Sequence, residues 1–95
     1  MLQRLSNKEV RGPNFSVSVP EIHQIRYAEG ERVATIEIEG GMGKGNQVNW
    51  VLYQQTLGGW NPPHEMDEMT EDKRTEILTN ISESLTALEM LHRLS

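Results

Sequence analysis

The chain contains no cysteine. Disulfides and thiolate metal sites are therefore excluded, and a reducing cytoplasm fits. Aromatic residues make up only 5% of the sequence, so Phe15, Tyr27, Trp50, Tyr53 and Trp60 are the few large side chains around which an aliphatic core can form. Positive charge is scarce as well. Nine Lys and Arg face 14 Asp and Glu, for a net charge of −5. Direct nucleic-acid binding needs clustered Lys and Arg to neutralise phosphates, and that composition argues against it. No apolar run approaches the roughly 20 residues of a membrane span, and Met1 to Arg11 is too polar to read as a signal peptide. A cytoplasmic protein that does not engage a membrane is expected.

What is present suits a small fold. At 95 residues the chain is expected to form one domain over 1–95 with a modest core. "FSVSV" alternates, with Phe15, Val17 and Val19 on one side, as in a half-buried strand. Two β-type runs, "IHQIRYA" and "RVATIEIE", flank Gly30, which can adopt the positive φ of a hairpin turn. On the second arm Ala34, Ile36 and Ile38 should face the core, and Val33, Thr35, Glu37 and Glu39 water. "QVNWVLYQ" places Val48, Trp50 and Leu52 on one face of a further strand. From Thr70 the period changes. Ile77, Leu78, Ile81, Leu85, Leu88 and Leu91 form one stripe of a helix expected over about 71–93, about 35 Å long. Thr70 is its N-cap, with Glu71 and Asp72 in the first turn. Residues 1–13 carry weak structure. The expected fold is α+β: an antiparallel β-meander of about four strands packed on one long C-terminal helix.

"EIEGGMGKGNQ", Glu37 to Gln47, has the glycines and lysine of a phosphate-binding loop. Such a loop needs Ser or Thr after the lysine and a helix directly behind it. Here Gly45 and Asn46 follow Lys44, and the next segment is a strand. The stretch Gly40–Gly45 reads as a hairpin loop, whose Lys44 could still contact a partner.

No other catalytic constellation emerges. His64-Glu65 opens a zinc-protease-like string, but position 68 is Glu. His23 and His92 have no partner at ligand spacing, and no serine lies in a nucleophile-elbow context. Neither a metal nor an organic cofactor is expected. Asn61 to Asp72 carries five acids (Glu65, Asp67, Glu68, Glu71, Asp72) and no Lys or Arg. That run is either a solvated loop or a patch that steers a basic partner. Met66 and Met69 should fold back over the core. Trp60, among glycines and prolines, reads as an anchor pinning its loop, the alternative being an exposed interface residue.

The strand ending in Trp60-Asn61-Pro62-Pro63, the acidic loop, the helix opened by Thr70 with Ile77-Leu78 and Asn80-Ile81, and the hairpin "YAEGERVATIEIEG" together resemble the immunity proteins of bacterial polymorphic and contact-dependent toxin systems. The resemblance is to the group called immunity protein 74, over about residues 25–85. It implies a non-catalytic inhibitor that binds a cognate toxin domain, commonly a nuclease. Glu65, Asp67, Glu68 and Asp72 are the expected steering residues, with Lys44 and Trp60 as further partner contacts. The rival readings are a structural or regulatory subunit that self-associates, as a homodimer for example, through its sheet face or helix, and a small enzyme with carboxylates or histidines distant in sequence.

Overall fold

The computed structural model describes residues 2–42 and 48–95. It replaces the expected four-stranded meander with a curled seven-stranded mixed sheet, a half-barrel, closed over by one helix. The strands follow chain order across the sheet: β1 (Gln3–Ser6), β2 (Glu9–Arg11), β3 (Ser16–Glu21), β4 (Gln24–Glu29), β5 (Arg32–Met42), β6 (Val48–Tyr53) and β7 (His92–Leu94). Every neighbouring pair is antiparallel except β6–β7, which is parallel because the helix α1 (Glu71–Ala87) returns the chain before β7.

Three features separate this fold from the expected one. Residues 3–11 form a hairpin with a single buried side chain, Val10, so no alternating apolar pattern announces it. Strand β5 runs on to Met42, so Gly40 and Gly41 are strand residues opposite Trp50 and Asn49, and not part of a loop. The remainder of that stretch, Lys44 included, lies outside the described residues. Finally, the helix stops at Ala87, well short of 93, and His92–Leu94 beyond it form the parallel strand β7.

The helix stop has a local cause. Glu89 sits at φ 60°, in the left-handed region. Its N–H donates to the Thr86 carbonyl (2.9 Å), and the Met90 N–H donates to the Leu85 carbonyl (2.8 Å). Those two bonds are a Schellman ending, built on glutamate in place of the usual glycine. The apolar period continues through Leu88 and Leu91, but Leu91 lies outside the helix and is 47% exposed. At the other end Thr70 caps the helix as the sequence implies, accepting from Lys73 N–H at 3.1 Å.

The β4–β5 hairpin closes with Gly30 at φ 63° and no positive φ at Glu31, the pattern of a II′ turn. Its register sets the core in rows: Val10, Val17, Tyr27 and Ala34 stand opposite one another, Ile25 meets Ile36, and Ile38 meets Leu52. Helix residues Ile77, Ile81 and Leu85, all at 0% exposure, cover these rows. The Phe15 ring stacks on Tyr27 with centroids 5.5 Å apart. A side chain at Gly12 would strike that Phe15 ring, which is why the Gly12-Pro13 turn carries glycine first.

Candidate functional site

The acidic run occupies the loop that leads into the N-terminal end of α1. Glu65, Glu68, Glu71 and Asp72 are exposed there, and Met66 among them is 90% exposed. Asp67 is engaged differently. Its Oδ2 accepts from Arg32 Nε at 3.0 Å and lies 3.2 Å from His64 Nδ1. The Arg32 guanidinium holds its carboxyl below the usual carboxylate range. Asp67 therefore fastens the loop to the start of β5, while its neighbours point their charge at solvent.

Trp60 is 6% exposed and belongs to the core. It is the anchor of the loop. Beside it the Asn61 N–H donates to the Val33 carbonyl at 2.7 Å, and Asn61 Nδ2 donates to Thr35 Oγ1 at 2.8 Å, so the loop occupies the edge of β5 that β6 does not reach. Arg74 ties the helix to the same segment by donating to the Gln54 and Leu57 carbonyls. Met69 packs against the core as expected, but Met66 does not.

A second surface lies at the other end of the helix. Val48 and Trp50 share the inner face of β6 with Leu52, but only Leu52 is fully covered. The chain leaves α1 beside Trp50, whose backbone N–H donates to the Leu91 carbonyl at 2.8 Å. Past that point no described element covers the inner face. Ile22, in the β3–β4 turn, is 65% exposed and Val48 41% exposed. With Trp50, Gly40 and Met90 they line two adjoining apolar hollows that share Ile22 and Trp50 and together make a groove. The Trp50 indole is seated on Gly40: a Cβ there would lie 3.0 Å from the ring. Glu21, Glu39, Lys8 and His23 stand at the groove's edge, whereas Glu37 lies outside it, across from Tyr53. Tyr53 donates to Glu39 Oε2 at 2.6 Å. Among the described residues neither Glu21 nor Glu39 makes an ion pair. The sequence reading missed this groove. The available signal was Ile22, out of phase with Ile25 and Tyr27 and so not a core residue of that arm.

Two polar clusters bind elements together. Tyr27 Oη donates to Glu29 Oε2 (2.8 Å) and accepts from Asn80 Nδ2 (3.1 Å), while Lys73 Nζ bridges Glu29 and Glu76 at 2.9 Å each. Ser82 Oγ lies 2.6 Å from His92 Nε2, with His92 Nδ1 2.8 Å from the Met90 carbonyl. A carbonyl only accepts, so Nδ1 donates to Met90, and in the neutral ring Nε2 accepts from the serine. This pairing links β7 to α1. Among the described residues no three histidine and carboxylate side chains gather as a metal-ligand set, and no helix is long and apolar enough to cross a membrane.

The sequence profile described as immunity protein 74 matches residues 21–91. The chain belongs to this family. No curated protein and no solved structure matches it. The match takes in the acidic loop and, of the groove, Glu21, Ile22, Gly40, Val48, Trp50 and Met90, but not Lys8. The immunity protein family is generally non-catalytic, and its membership implies a toxin as partner.

Proposed function

We propose that this immunity protein binds and neutralises a cognate bacterial toxin domain in the cytoplasm by tight, non-catalytic association, and that the target is a nuclease. Membership of the immunity protein 74 family carries this reading. Charge supports its finer part. A nuclease holds a polyanion, so its cleft is positive, and a partner with net charge −5 is drawn toward it. Glu65, Glu68, Glu71 and Asp72 project from one end of the molecule, where they act as the leading edge of that field. Asp67, paired with Arg32, contributes through the position of the loop. Long-range attraction speeds encounter, which suits an inhibitor that must capture its target before the target acts.

Co-expression tests the proposal. The product of the neighbouring reading frame is expected to arrest growth alone and to be harmless when this protein accompanies it. Continued arrest in the presence of the folded protein would refute toxin neutralisation.

A further inference from the structure

We infer that the apolar groove around Trp50 is the docking site for the toxin domain, and that its occupant is an apolar side chain of that domain flanked by lysine or arginine. The inference rests on the toxin-binding reading and adds the surface and the chemistry of the contact.

Position separates the groove from the acidic loop. The loop adjoins the N-terminal end of α1, and the groove begins at Met90, just past its C-terminal end. Seventeen helical residues put about 25 Å between those ends. The two surfaces thus perform separate tasks. Exposed carboxylates on a loop act at long range through solvent and govern the rate of encounter. A concave apolar surface acts only on contact and governs how long the complex lasts.

The groove has the composition of an interface centre. Tryptophan dominates binding energy where it is surrounded by apolar contacts that exclude water. Trp50 is held from behind by Gly40 and flanked by Ile22 and Val48, whose exposed surface would be covered by a partner. The rim selects the partner's charge. Among the described residues, Glu21 and Glu39 stand at the opening against the single Lys8. A partner bringing Lys or Arg to that rim gains complementary contacts, whereas an acidic one is repelled.

The test uses the full chain and the purified, catalytically inactivated product of the neighbouring reading frame, with binding kinetics followed on an immobilised surface. Ile22→Asp and Val48→Asp alter exposed side chains and should fold normally. Each is expected to shorten the complex lifetime by at least about tenfold, the scale of an interface hot spot, with little change in association rate. The double variant Glu65→Lys/Glu68→Lys should show the converse, slower association with the lifetime retained. Ile22→Asp and Val48→Asp complexes as durable as the wild type would overturn the groove, even if Trp50→Ala, which also packs on the core, weakened binding. A dimer of this chain that dissolves on Ile22→Asp in light scattering would assign the groove to a second copy and overturn it equally. Wild-type protein that fails to bind the toxin domain at all would refute toxin binding itself, and the groove assignment with it.

Discussion

Gly40 stands directly across the β5–β6 pair from Trp50, and the indole occupies the space a side chain would take. Replacing Gly40 with alanine puts a methyl group 3.0 Å from the ring. Trp50 is only partly buried, so the ring can tilt outward. The loss of stability should stay within about 1 kcal/mol, partly offset by the lower entropy of the unfolded chain. The Trp50 indole N–H resonance should shift while that of Trp60 stays in place, and the toxin complex should be shorter-lived. An unmoved Trp50 resonance would contradict the seating.

Glu89 is a non-glycine residue at a helix-terminating position that favours glycine. Glu89→Gly is expected to stabilise the fold by roughly 1 kcal/mol, the cost of holding an L side chain in the left-handed region. The substitution also removes the Arg4–Glu89 ion pair, but that pair is long, at 3.6 Å, and exposed, and adds little. Urea unfolding checks this: a midpoint at or below the wild-type value would show that Glu89 is not under strain.

Stability should fall on the alkaline side. The Lys73 ammonium is favoured by its bonds to Glu76 and Glu29, which raise its pKa. Burial, with the Glu29 carboxylate adding to it, raises that of Tyr27. Both groups bind their proton more tightly folded than unfolded, so their contribution is complete below about pH 10 and is lost as pH rises through the folded values. Denaturation at about pH 9 and pH 11 should show this loss. Lys73→Met should reduce it, and an unchanged slope in that variant would contradict the role given to Lys73.

Asp67 acts at the acid end. Arg32 holds its carboxyl below the usual carboxylate range, so its contribution is present above that range and disappears as pH falls through the folded value. Arg32→Gln should flatten the acid limb of the stability profile. Retention of the wild-type limb would show that the Arg32–Asp67 pair does not matter to folding.

Much of this architecture could be read from residue patterns where the patterns were strong. The β4–β5 hairpin, the inward set Ala34, Ile36 and Ile38, the Thr70 cap and the buried Trp60 all follow from period two, turn chemistry and capping. The missed elements are those whose shape is set from a distance. Strand β1 exposes all four of its residues and exists through its pairing with β2. Strand β7 is three residues long and follows from where α1 stops. That stop is invisible because glutamate fills a position usually marked by glycine. The groove was hidden because Val48 and Trp50 have the phase of core residues, yet Val48 is exposed and Trp50 only partly buried. The acidic loop was legible as charge, but not the diversion of Asp67 to Arg32, which lies 35 residues away.

The most direct measurement titrates this protein into a fixed amount of active toxin domain and follows the toxin's own reaction. Non-catalytic binding predicts that activity falls in a straight line and reaches zero at equimolar protein, with the toxin recovered chemically unchanged. Full inactivation by a small fraction of an equivalent, or a covalently altered toxin, would mean that this protein works by turnover and would contradict neutralisation by binding.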